Sequence, residues 1–282
     1  MKTKIKQMSP IRKVIVYTLC IFLVVLSIFP FYTMFINATR GTYEIQSNSI
    51  SLIPSTYAVS NWMVLMNKNF NPFIGFMNSL IISCGVTVLA VYFSSLTAYG
   101  LVAYSWKMRK AFFTFIMAVL MIPAQVSIIG FFQFMYKLGL TNNFLPLILP
   151  AIASPATVFF MRQYLLATLS LDIVNCARID GSGEFRTFNQ IVLPIMQPAL
   201  ATQAIFAFVG SWNNLFLPLV MLTDRTKYTM PIMVNLLRGD IYRTEYGSVY
   251  LALSLTVLPL FIVYFLLSRY IIEGVALGAL KE

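Results

Sequence analysis

Six runs of the chain carry no Asp, Glu, Lys or Arg: 14–39, 69–106, 111–136, 138–161, 187–223 and 246–268. Each exceeds the ~20 residues that a helix needs to cross the hydrocarbon core of a bilayer. The pattern predicts an all-α polytopic membrane protein with about six transmembrane helices, near 14–36, 76–104, 112–135, 145–163, 199–222 and 248–270, in one domain over 1–282. The stretch 45–67 is also uncharged, but Gln46, Ser47, Asn48, Ser49, Ser51, Ser55, Thr56 and Asn61 make it read as an external loop. Pro123, Pro146, Pro150, Pro155 and Pro218 are expected to kink or interrupt helices and to expose carbonyls to a cavity.

Composition sharpens this picture. Of the 282 residues 59% are hydrophobic and only 10% charged, against about 25% charged in ordinary soluble domains. A soluble globular enzyme is thereby nearly excluded. There is no histidine, which removes the commonest metal ligand and the usual proton shuttle at neutral pH. Cys20, Cys84 and Cys176 lie far apart, without a Cys-x-x-Cys pair, so neither a disulfide framework nor a zinc site is supported. No metal site and no catalytic constellation are expected.

The net charge of +11 would suggest nucleic acid if it were not for its placement. Most Lys and Arg flank the predicted spans, as topology and anionic headgroups require; no nucleic-acid partner is expected, and membrane lipid is. Val14 to Phe35 follows a basic segment as a secretory signal would, but it is too long for a signal core and no small-x-small site follows. It reads as a retained first span. With the N-terminus inside, 13 basic residues fall on inner segments and 7 on outer ones, so both termini are expected in the cytoplasm. The Asn-x-Thr sequon at Asn37 reads as chance.

The inner loop 164–198 is the informative segment. Ser170 is a good helix N-cap, Asp172 puts a carboxylate in the first turn, and Gly181 suits the left-handed residue after a helix. A helix over 171–180 is predicted, with Leu169, Ile173, Cys176 and Ala177 as its apolar stripe. A second helix over 184–192 follows, closed by Pro194. The pair is suited to dock onto a partner or, equally, to pack against the chain's own spans.

The run Cys176-Ala-Arg-Ile-Asp-Gly-Ser-Gly-Glu-Phe-Arg, followed by Ile191-Val-Leu-Pro-Ile-Met-Gln-Pro-Ala-Leu, resembles the coupling-loop signature of ABC importer permeases. Positions 175–177, Gly181, Ile191 and Leu193-Pro194 match its spacing. Within that superfamily the chain is similar to carbohydrate-uptake permeases of the maltose-permease G-subunit type. Supporting segments are Asn78-Ser-Leu-Ile, Met121-Ile-Pro-Ala-Gln-Val, Leu138-Gly-Leu-Thr-Asn-Asn, Trp212-Asn-Asn-Leu-Phe-Leu-Pro-Leu and Glu273-Gly-Val-Ala-Leu-Gly-Ala-Leu-Lys. The resemblance implies a transport subunit that is not itself an enzyme, in the cell membrane of a prokaryote. It implies a second homologous permease, a dimer of ATP-binding-cassette ATPases holding ATP and Mg, and an extracytoplasmic sugar-binding protein that meets the outer loop 223–247. Asn175, Cys176, Ala177, Asp180 and Gly181 would form the ATPase-docking loop. Asn175 departs from the family's glutamate: it hydrogen-bonds but supplies no charge. Arg-Gly-Asp at 238–240 carries no adhesion meaning.

The chain has no Gly-x-x-x-x-Gly-Lys-Ser/Thr, so ATP chemistry must come from a partner. Uncharged spans also weigh against an intramembrane proton relay. Asn78, Gln125, Gln203, Trp212, Asn213 and Asn214 are the translocation-path candidates, because large amides are costly to face towards lipid and Trp212 beside Asn213 joins an apolar face to hydrogen-bonding groups. Ser79, Ser83 and Thr87, four residues apart, suit close helix packing. Rival readings are the same architecture carrying glycerol-3-phosphate or a polyol, a stand-alone sodium-coupled carrier, and a membrane-embedded enzyme.

Overall fold

In the computed structural model, residues 9–67, 70–237 and 244–279 are described, of which 124 and 267–279 by their backbone alone. All regular structure among them is helical. In chain order the helices are α1 (Pro10–Ala38), α2 (Thr42–Ser47), α3 (Ala58–Asn67), α4 (Pro72–Ala103), α5 (Arg109–Leu120) and α6 (Ala124–Lys137). A short α7 (Leu145–Ile148) passes through a 3-10 turn into α8 (Pro155–Thr168). Then come α9 (Leu171–Ile179), α10 (Glu184–Ile195), α11 (Gln197–Trp212), α12 (Phe216–Met221), α13 (Met230–Leu237) and α14 (Tyr246–Ala279).

Four stretches are long and apolar enough to cross a bilayer unbroken: Pro10–Ala38, Pro72–Ala103, Leu145–Thr168 and Tyr246–Leu266. Two bent pairs, α5 with α6 and α10 with α11, bring the count to six if each pair is taken as one span by length and composition alone. The predicted third span, 112–135, is therefore broken, with a bend of 100° between its halves. Pro123 lacks the N–H that a continuous helix needs, and it disfavours helical backbone at Ile122. The predicted fifth span, 199–222, is also interrupted: α11 stops at Trp212, and α12 resumes only at Phe216. The stretch 45–67, expected as a loop, contains the end of α2 and all of α3. Of its polar residues, Asn48 is the C-cap of α2, Ser55 donates to Glu44 of that helix, and Asn61 ties α3 to the end of α1.

By contacts the chain divides into two units, residues 1–71 with 234–257, and 72–233 with 258–282. The first is organised around a buried cation. Arg40 Nη1 donates to Asn37 Oδ1 (2.9 Å) and Asn48 O (2.8 Å), and Nη2 donates to Glu44 O (2.8 Å). Asn37 also donates to Ser49 O, so its amide is committed inside the unit. Asn61 Nδ2 donates to the carbonyls of Ala38 and Arg40 at 2.9 and 3.0 Å. Gly247 seals this knot: a Cβ there would lie 2.3 Å from Arg40 O and 2.5 Å from Asn61 Nδ2. Alpha1 itself is different, since none of its most apolar 18-residue window is buried.

In the second unit α4 is the central post, with α8 and α11 against it. One core lies beside α9 and α10 and contains Tyr99, Met161, Leu165, Val174, Phe188 and Met196. Another gathers Ile82, Met135, Leu147, Met221 and Ile232. The 188–192 segment of α10 is a π-helical turn, a distortion frequent at functional sites.

Candidate functional site

Alpha9 begins as its sequence dictates. The Ser170 hydroxyl accepts a hydrogen bond from Asp172 N, and Asp172 stands in the first turn. It ends on a left-handed glycine: Gly181 has φ +76°. Gly181 N donates to Arg178 O (3.0 Å) and Ser182 N to Ala177 O (2.9 Å), the paired closing bonds of a Schellman turn. A Cβ at Gly181 would meet nothing within 4 Å, so glycine is needed there for its backbone angle and not for space. Asp180 is the exposed C-cap.

The buried face of α9 follows the predicted stripe only in part: Ala177 is buried and Leu169 packs against the core, as expected. Val174 and Ala177 are buried, whereas Ile173 and Cys176 are exposed. Val174 enters the core that Phe188 and Leu165 share, and Ala177, at i+3, is buried on the same side of the helix. Two apolar side chains are left uncovered, Ile179 at the end of α9 and Phe185 at the start of α10, 85% and 67% exposed. Exposed apolar side chains of this size suit contact with another surface.

A polar cluster braces the hairpin from within. Arg178 Nε donates to Glu184 Oε1 at 2.8 Å, bridging the Gly181 turn. The hydroxyls of Tyr104 and Tyr99 both donate to Glu184 Oε2. The Arg178 guanidinium lies 5.2 Å from the Tyr104 ring centre and donates to Asn175 Oδ1 (3.2 Å). Hydrogen bonds from Tyr104 first, then Arg178, hold the Glu184 carboxyl below the ordinary carboxylate range. Arg178 and Glu184 escaped the sequence reading because their pairing depends on the turn closing and on Tyr104 arriving from the end of α4. A basic and an acidic residue six apart across a Gly-Ser-Gly turn were the available signal.

The path candidates separate into two groups. Gln125 and Asn214 come together, with Ser127, in a cavity of about 890 Å³ bounded by Pro123, Phe131, Pro155 and Phe216. The cavity sits where α5 gives way to α6, and its wall includes the residues after the α11 break. Interrupted helices at membrane depth are tolerated where they border such a cavity. Asn213 is exposed as the C-cap of α11.

The other candidates have structural positions. Asn78 is buried, and its Nδ2 donates to Thr226 O (2.9 Å) and Tyr228 O (3.0 Å). Both N–H groups of its amide are thus spent on tethering the 225–227 turn to α4. Trp212 is 1% exposed, stacked on Phe208 and edge-on to Phe76. It is a core residue, not a sugar platform, because a flat indole at the end of α11 buries best between two phenyl rings. Gln203 is buried within α11, apart from the residues lining the cavity.

A family model described as "binding-protein-dependent transport system inner membrane component" matches residues 90–276. An arabinooligosaccharides transport system permease protein of Halalkalibacterium halodurans is 36% identical over 262 residues, 92% of this chain and 93% of that one. An sn-glycerol-3-phosphate transport system permease protein of Pectobacterium atrosepticum is 30% identical, over 88% of this chain and 90% of its own length. A solved chain from a bacterial ABC transporter involved in the import of the acidic polysaccharide alginate shares the fold, with a TM-score of 0.78 at 20% identity over 93% of this chain and 96% of that one.

Proposed function

The chain belongs to the family of binding-protein-dependent transport system inner membrane components, and on that footing we propose that it is the permease subunit of an ATP-driven importer of an oligosaccharide. One observation carries the mechanism: a braced helical hairpin, α9 to α10, that leaves Ile179 and Phe185 uncovered and whose turn is fixed by Gly181. A lever must be stiff inside and adherent outside, and the Arg178–Glu184–Tyr104 cluster supplies the stiffness.

Two copies of an ATP-binding-cassette ATPase hold ATP and Mg. One of them docks on 175–181 of this chain, and the other docks on the equivalent loop of a second, homologous permease. An extracytoplasmic sugar-binding protein delivers the cargo to the 223–247 loop. The chain lies in a prokaryotic cell membrane with both termini in the cytoplasm. Movement of α9 is transmitted through Val174 and Phe188 to α4 and α8, against which they pack. Coupling follows if the ATPase contacts this surface differently in its two states.

The cavity favours a neutral, hydroxyl-rich cargo. Gln125, Ser127 and Asn214 offer donors and acceptors among apolar walls, and no lining residue is cationic. That composition disfavours glycerol-3-phosphate, whose dianion calls for Arg or Lys.

The test is to purify the tagged chain from its host in mild detergent and identify co-purifying chains by mass spectrometry. A second permease and a P-loop ATPase support the reading. A chain recovered alone and still taking up sugar in vesicles without any ATPase overturns it.

A further inference from the structure

Beside the turn from α4 to α5, Arg109 and Arg162 stand on the packed helices α5 and α8, and neither forms an ion pair among the described residues. Arg109 and Phe113 lie one turn apart on α5, and Phe159 and Arg162 lie at i, i+3 on α8. Phe113 stacks on Phe159 with ring centres 6.4 Å apart, and the Arg162 guanidinium sits 4.1 Å from the Phe113 ring centre. This places Arg162 within electrostatic reach of Arg109. The ion pairs among the described residues are Arg40–Glu44 and Arg178–Glu184, and neither arginine takes part in them.

Their hydrogen bonds leave much unused. Arg162 Nε is buried without a partner, and Nη1 reaches only Gln163 Oε1 at 3.5 Å. Arg109 gives one bond, from Nη1 to Tyr104 O. An arginine that merely snorkels keeps its head in water, but Arg162 is held against a ring with its Nε buried. Arg109 is also the first residue of α5, where the helix dipole adds positive potential. Lys107 and Lys110 flank it, and Trp106, 43% exposed, stands beside Phe112 as aromatic anchors do at a headgroup boundary.

We propose that Arg109 and Arg162 bind the phosphate of an anionic phospholipid at the bilayer surface beside the 104–109 turn. Planar guanidiniums present paired N–H groups that match phosphate oxygens, and an anion between the two arginines relieves their mutual repulsion. The headgroup then lies one residue from the hairpin brace, since Tyr104 accepts from Arg109 through its carbonyl and donates to Glu184 through its hydroxyl. The site rests on the membrane-spanning reading but on neither the cargo nor the ATPase.

Native mass spectrometry of the tagged, delipidated assembly tests it, with added dioleoylphosphatidylglycerol or dioleoylphosphatidylcholine. The wild type is expected to retain phosphatidylglycerol over phosphatidylcholine. The double variant Arg109→Gln/Arg162→Gln is expected to bind phosphatidylglycerol roughly tenfold more weakly, the loss of charge-assisted hydrogen bonds. Arg162→Lys, which keeps the charge without the planar fork, is expected to fall between. Should the double variant fail to assemble, the partly exposed Arg109→Gln carries the test alone. Equal retention by wild type and variants, or equal retention of the two lipids, overturns the proposal. Displacement of the lipid by millimolar inorganic phosphate overturns it in favour of a free-phosphate site. No retained lipid, with Arg162 cross-linking to another chain, overturns it in favour of a protein contact. The same spectra show whether an ATPase co-purifies, so failure of the importer reading and failure of the lipid site are read from different peaks.

Discussion

Arg178 and Glu184 meet at 2.8 Å across a turn whose pivot, Gly181, has φ +76°. The bridge joins the last turn of α9 to the first turn of α10. Both side chains remain partly exposed, and their pairing is screened by solvent; its value lies in geometry more than in stability.

Replacing Glu184 by Gln is expected to leave assembly intact and to lower the uptake obtained per ATP hydrolysed. The pH dependence has a definite sign. Glu184 is held below the ordinary carboxylate range by Tyr104 and Arg178, so its contribution is present above that range, around pH 4, and is lost as pH falls through the lowered value. Thermal unfolding of wild type and Glu184→Gln is expected to differ modestly near neutral pH and to converge in acid. A difference that grows on acidification contradicts this assignment.

Gly181 separates backbone strain from bulk. Gly181→Asn, whose side chain tolerates left-handed backbone, is expected to retain coupled uptake, whereas Gly181→Val carries about 1–2 kcal/mol of strain and loses it. Measuring uptake and ATPase activity side by side in proteoliposomes decides the matter. Equal activity of the two variants means that the turn is not the pivot.

Asn78→Ala removes both bonds to the 225–227 turn. A loss of about 1–3 kcal/mol in stability is expected, at about 0.5–1.5 kcal/mol for each of two part-buried hydrogen bonds. Apparent affinity for the sugar is expected to stay unchanged. A change in affinity at unaltered melting temperature returns Asn78 to the transport path.

Gln125→Ala and Asn214→Ala are expected to behave in the opposite way, raising the half-saturating sugar concentration with little change in melting temperature. Each loses at most a hydrogen bond or two to cargo, about 0.5–1.5 kcal/mol apiece. Uptake assays with the binding protein present give the reading, and unchanged half-saturation in both variants removes the cavity from the path.

Much of α9 and its closing turn is legible in the sequence because its signals are local. Ser170, Asp172 and Gly181 act on neighbours a few residues away, and α9 ends within one residue of its predicted limit. The four unbroken spans were legible for a similar reason, since bilayer thickness sets one length scale for all of them. What escaped was set at a distance. Asn78 finds its partners about 150 residues along the chain, and no pattern around Asn78 distinguishes a tether from a pore-lining amide. Trp212 looked like an interfacial or sugar-facing residue because its two phenyl neighbours, Phe76 and Phe208, are assembled only by packing. Two of the four stripe positions, Ile173 and Cys176, turn outward, because Val174 is the side chain of α9 that enters the core with Phe188.

The π-helical turn at 188–192 has a consequence for chain length. A π turn closes its hydrogen bond over one residue more than the α-helical turn it replaces, so the extra residue is absorbed in one widened turn while the helix on either side keeps its rotational phase. Deleting one residue from 188–192 is therefore expected to relax α10 to ordinary pitch with the hairpin brace and the core that receives Val192 and Met196 still in register. The same deletion in an ordinary helical turn would rotate everything beyond it by about 100°. The segment thus tolerates a change of count that its α-helical neighbours do not.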